Sequence, residues 1–116
     1  MKKNINTAAA VVAIAAANPE GFTVDARTFE PIRTGYAVAL ADTQNSFNEE
    51  GAARVAAYIA DHVEVNAIGG WYDAEGGRFY YDATIIYTNR AEAIEAGRKN
   101  GQIAIFDLHN LEEIRL

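Results

Sequence analysis

The hydrophobic pattern changes period several times along the chain. From Thr7 to Ala17 the run TAAAVVAIAAA is nearly all apolar, with Val11, Val12 and Ile14 as its large anchors. A helix is expected there, capped by Asn6 or Thr7 and stopped by Asn18-Pro19 and Gly21. FTVD (Phe22–Asp25) reads as a short strand that ARTFEPI turns back. GYAVALAD (Gly35–Asp42) alternates large Tyr36, Val38 and Leu40 with small Ala37, Ala39 and Ala41, a period of two whose small face suits close cover by helices. In TQNSFNEEGAARVAAYIADH the period becomes helical. Phe47, Val55 and Ile59 fall on one stripe beside Ala52 and Ala56, and Asn48, Glu50, Arg54 and Asp61 face away. Ser46 with Glu49 forms an S-x-x-E capping box, placing the start of this helix near Phe47.

VEVNAIGGWYD then enters a hairpin whose turn is Ala74-Glu75-Gly76-Gly77. On the return strand Phe79, Tyr81, Ala83, Ile85 and Tyr87 share one face, and Tyr80, Asp82, Thr84, Ile86 and Thr88 share the other. Asn89 caps the next helix, with Glu92 at the capping-box position, Ala91 and Ile94 inward, and Glu95 and Lys99 paired outside. Asn100-Gly101 ends it, QIAIFDL follows as a buried strand, and LEEIRL closes the chain as another. The order from Tyr36 to Leu108 is β-α-β-β-α-β. It predicts an α+β fold: a ferredoxin-like (split βαβ) antiparallel sheet with both long helices on one face, an added N-terminal helix and extra β-hairpin strands. The expected single domain divides into the helix at 1–20, a hairpin at 21–34, the core at 35–108 and a terminal strand at 109–116. The alanine-rich helix is the expected cover for the bare sheet face or for one edge.

VDARTFEPIR (Val24–Arg33) also aligns without gaps on FDLHNLEEIR (Phe106–Arg115), matching Asp25 to Asp107, Glu30 to Glu112 and Arg33 to Arg115. An Asp opening such a turn bonds its own backbone two residues on, so two similar hairpins explain the match without a duplicated function.

Composition narrows the function classes. The 116 residues suffice for one core, and with 50% apolar and 22% charged residues the chain is expected to be globular. It has no cysteine, which excludes disulfides, thiolate chemistry and Cys-type zinc sites and fits a cytoplasmic setting. Lys+Arg is 10 against 16 for Asp+Glu, and the net charge of −6 argues against binding nucleic-acid phosphates. The carboxylates are scattered, so mimicry of a nucleic-acid backbone is disfavoured too. Met1-Lys2-Lys3 before the alanine run resembles a signal peptide on the surface, but a retained helix is the preferred reading, and the run is too short to span a membrane.

No nucleophile motif, phosphate loop or dinucleotide fingerprint occurs, so no catalytic residue, metal ligand or cofactor is assigned. His62 and His109 have no partners at useful spacing. Asp73 and Asp82 read as a turn former and an exposed strand position opposite a basic residue. The loop Ala41–Ser46 is the better candidate, since it joins a strand end to a helix start, where free N–H groups accept a ligand, and Gln44 and Asn45 offer uncapped amides. The aromatic hairpin is the other. Alternation assigns Phe79 and Tyr81 to the core, and Tyr80 with Trp71 or Tyr72 to the opposite face. That second patch either packs beneath the N-terminal helix or meets a partner.

The stretch Gly69–Leu108, with its G-G-W-x-D hairpin, its Y-x-D return strand and EAIEAGRKNGQIAIFD, resembles small proteins encoded by bacteriophages and other bacterial mobile elements. Gly76 departs from that pattern, where a Thr or Asn is expected. The resemblance implies a non-enzymatic accessory or host-interaction protein in the bacterial cytoplasm and carries over no catalytic residue. The expectation is a protein-binding module using Trp71, Tyr72, Tyr80, Gln44 and Asn45, with homo-oligomerisation left open and a host defence or regulatory protein as one partner class. The rival is a small-ligand binder or minor enzyme built on residues 42–46 with Asp73 or Asp82.

Overall fold

The computed structural model describes residues 3–116, with side chains from Thr7 onward. The elements run α1 (Lys3–Ala17), β1 (Phe22–Asp25), β2 (Tyr36–Ala39), a 3-10 turn (Ala41–Thr43), β3 (Ser46–Phe47), α2 (Asn48–Asp61), β4 (Ala67–Asp73), β5 (Arg78–Tyr87), α3 (Arg90–Lys99), β6 (Ala104–Asp107) and β7 (Glu112–Arg115). Among the described residues the fold is mixed α+β, with three helices and a seven-stranded antiparallel sheet. The strands lie in the order β1-β4-β5-β2-β6-β7, with β3 on β5. No helix of the described residues is long and apolar enough to cross a membrane.

β5 is the spine. Along one side it pairs all of β4, from Ala67↔Thr84 to Asp73↔Arg78. Along the other it pairs β2 at Thr84–Tyr87 and β3 at Tyr80–Tyr81. β2 and β3 are thus two halves of one interrupted strand. Leu40 N–H donates to the Ala83 carbonyl, and Ala83 N–H donates to the Thr43 hydroxyl at 3.0 Å. A buried side-chain oxygen here takes the ladder position that a peptide carbonyl would hold.

The helices all pack on one face of this sheet. Val55 and Ile59 of α2 and Val11 and Ala15 of α1 share a core with Val24, Ile68, Tyr81 and Ala83. Ala93 of α3 packs with Val38 and Ile105. α1 therefore does not cover the bare face. It lies beside α2, because Val11 and Ala15 fit the apolar layer that α2 leaves open. It also begins at Lys3, so positions 6 and 7 lie within the helix and not at its N-cap.

Several local expectations shift. The Ser46–Glu49 box does not form, and Phe47 occupies the α2 N-cap without a side-chain bond. Ser46 is buried in β3, donating to the Thr43 carbonyl at 2.6 Å. Gly51 explains the tight start: a Cβ there would lie 2.3 Å from the Ser46 backbone carbon, so only glycine lets the first turn rest on β3. Asn89 does cap α3, accepting from Glu92 N–H at 2.9 Å. The buried residues of α3 are Ala93 and Gly97, whereas Ala91 is exposed, and Glu95 forms no ion pair with Lys99. The small face of β2 (Ala37, Ala39) points away from the helices, since Val38 and Leu40 fill the core. Within QIAIFDL only one side of β6 is covered, leaving Phe106 exposed, and Ile103 just before the strand is exposed as well.

The sequence repeat is a pair of equivalent turns. Asp25 Oδ1 accepts from the N–H groups of Arg27 and Thr28. Asp107 Oδ1 accepts from those of His109 and Asn110. Four residues after each Asp a non-glycine residue takes positive φ, Phe29 at 66° and Leu111 at 56°. Backbone N–H donors hold the Asp25 carboxyl below its ordinary pKa; at Asp107 the Asn110 side chain does most, helped by N–H donors. Arg27 has a further task absent from the second copy. Its guanidinium donates to the carbonyls of Val65, Ile59 and His62 and so caps the C-terminus of α2.

Residues 26–32 turn back along the outer edge of β1, where Val24 bridges Pro31 and Ile32 N–H donates to the Thr23 carbonyl, so residues 33–35 make the connection to β2. Ala67 and Thr84 point away from the helices and are buried. At the hairpin end of this face Trp71 stays exposed.

Candidate interaction surface

At the hairpin end, strand alternation sends Trp71, Tyr80 and Phe47 to the face without helices. Their positions are in register, Trp71 opposite Tyr80 and Phe47 opposite Tyr80 on the other side. Trp71 and Tyr80 stack with centroids 4.8 Å apart and planes 11° apart. Phe47 meets Tyr80 edge-on at 5.5 Å. The Arg78 guanidinium sits 4.5 Å from the Phe47 ring centre, a cation–π contact. Three strands thus supply one row of rings, and Trp71 keeps 47% of its surface exposed.

Asp82 stands one step inward on the same face. It faces Gly69, not the basic residue expected, and no cation pairs with it among the described residues. Burial without such a partner pushes its carboxyl up to about 6. Arg78 likewise has no ion pair among the described residues.

Of the residues singled out from sequence, Trp71 and Tyr80 come together. Tyr72 is 50% exposed but pairs with Phe79 and points to the opposite side of the ribbon. Gln44 and Asn45 are exposed in the segment entering β3, where Asn45 takes positive φ. Their loop is not an open cradle. Arg54 donates to the Gln44 and Asp42 carbonyls and to Ser46 Oγ, and Gln44 N–H donates to the Ala41 carbonyl. Tyr58 donates to the Asp42 carboxylate at 2.9 Å and stacks on His62. Phe47 and Arg78 were missed. The helix stripe claimed Phe47, but its pairing with Tyr80 makes it a strand residue. The signal available was that Arg78, Tyr80 and Asp82 alternate on one face of one strand.

A cleft of about 340 Å³ opens elsewhere, between Thr34–Tyr36, Thr88 and the Asp107 turn. It includes no residue of the 42–46 loop, nor Asp73 or Asp82. No group of three or more His, Asp or Glu gathers to hold a metal among the described residues. No protein-family model matches the chain, and no curated protein or solved structure is significantly similar to it.

Proposed function

We propose that this chain is a non-enzymatic protein-binding module that acts by stoichiometric contact through the open end of its sheet. The observation that carries the reading is the ring row Trp71–Tyr80–Phe47 on a face that no helix covers. Half-exposed, mutually braced aromatics lose little side-chain entropy on contact and supply most of the energy at protein interfaces. The scaffold we infer is the ferredoxin-like split βαβ: β2, α2, β4, β5, α3 and β6 follow in that order, and their strands lie side by side as β4-β5-β2-β6. An accessory protein of phage or mobile-element type, working in the bacterial cytoplasm on a host protein, is the role that fits the sequence resemblance.

The test pairs adjacent tyrosines. Immobilised wild-type chain and the variants Trp71→Ala, Tyr80→Ala and Tyr72→Ala are exposed to bacterial lysate, and urea midpoints are measured alongside. The reading expects a captured protein that Trp71→Ala and Tyr80→Ala lose while both stay folded and Tyr72→Ala still retains it. Capture indifferent to Trp71 and Tyr80 would sink it.

A further inference from the structure

On the open face β5 presents Arg78, Tyr80 and Asp82 in alternation, a cation, a ring and an anion at two-residue steps. The cation and the anion lie equally far from Tyr80, roughly 7 Å to either side at the ordinary strand rise. Such a pattern is its own complement. Let a second β5 face the first, antiparallel, about a two-fold axis passing beside Tyr80 across the strands. Arg78 of each copy then meets Asp82 of the other. The axis runs along the ring row, so each ring of Trp71, Tyr80 and Phe47 meets its own counterpart. Asp73, which stands opposite Arg78 in the strand register, comes over Gly69 of the other copy, beside that copy's Asp82.

We infer that the occupant of this face is a second copy of the chain, docked sheet to sheet with reciprocal Arg78–Asp82 pairs around a shared aromatic centre. The inference rests on the protein-binding reading above and names its partner. Closed two-fold association requires a self-complementary patch, and this one has both signs placed symmetrically about its centre. Neither charge has an ion-pair partner among the described residues of its own chain. Each gains one in the pair, without a new charge entering the apolar layer. The ring row lies at the hairpin end of the sheet, where Trp71 is exposed, so the contact is open to both copies.

Sedimentation equilibrium on the full chain tests this, using the wild type, Arg78→Asp, Asp82→Arg and the double variant, with circular dichroism confirming that each is folded. The expected result is a wild-type dimer at about 100 µM, weakened at least tenfold by either single reversal, which places like charges face to face, and restored to within about threefold by the double reversal. A folded wild-type monomer at that concentration overturns the inference. So does a dimer that Arg78→Asp leaves unchanged, or one that both single reversals break and the double does not rescue. Lysate capture separates the two levels. A monomer that loses a captured protein on Trp71→Ala overturns only the dimer, whereas a monomer whose capture ignores Trp71 overturns the binding face as well.

Discussion

Tyr80 and Tyr81 are neighbours in sequence and identical in chemistry, yet the fold gives them opposite tasks. Tyr81 is 3% exposed and packs with Phe22 and Phe79 beneath the helices. Burial pushes its phenol pKa up, with the Glu49 charge adding to the effect. Tyr80 stands half-buried between Trp71 and Phe47 on the far side. One residue of register separates core from surface, and residue type carries none of that information.

The sharpest way to break the comparison is to truncate both. Tyr81→Ala should cost about 3–5 kcal/mol of folding stability in urea titration, as for large aromatic deletions in a core. Equal losses from Tyr80→Ala would make the open face a second core. On the covered side, Gly51→Ala should cost on the order of 1–3 kcal/mol, because the new methyl meets fixed backbone at 2.3 Å.

The charge on the open face gives an effect of opposite sign. The Asp82 carboxyl is held up to about 6 in the folded chain, against roughly 4 when unfolded. The folded state then binds the proton more tightly. The contribution of this group is fully present below about pH 4 and is lost as pH rises through about 6. Asp82→Asn should remove this decline and stabilise the chain at pH 7 by about 1 kcal/mol, after discounting for partial solvent access. A wild type and Asp82→Asn with parallel pH–stability curves between pH 4 and 7 would contradict the assignment. Asp25 and Asp107 act the other way. Their carboxyls are held low, so their contribution is complete above about pH 4 and is lost as pH falls through their folded values.

The smallest effect belongs to the most exposed ring. Trp71→Ala should change folding stability by no more than about 0.5–1 kcal/mol, the worth of one stacked pair at a surface. A larger loss, measured by chemical denaturation, would show that the row holds the hairpin together.

Period-two reading of the long hairpin assigned the β5 side chains from Phe79 to Tyr87 to their sides but left out Arg78, because alternation follows directly from strand geometry once the strand is recognised. It failed at Ser46–Phe47. There a two-residue strand abuts a helix, and the capping signature and helical stripe are local patterns that tertiary pairing with Tyr80 and Tyr81 overrides. The position of α1 was equally hidden. A nearly featureless alanine surface fits many neighbours, and only the gap beside α2 selects one. Tyr72 was ambiguous until the register with Phe79 fixed which ring shared a side with Tyr80.

Trp71 is the chain's single tryptophan, and it stands on the open face with about half its surface in water. The intrinsic ultraviolet emission of this molecule is therefore a gauge of that face and not of the interior. Denaturant transfers an indole that is already half wetted, so the red shift that usually reports unfolding will be muted. Anything that settles on the ring row will dry the indole and shift its emission to the blue, while the backbone stays as it was.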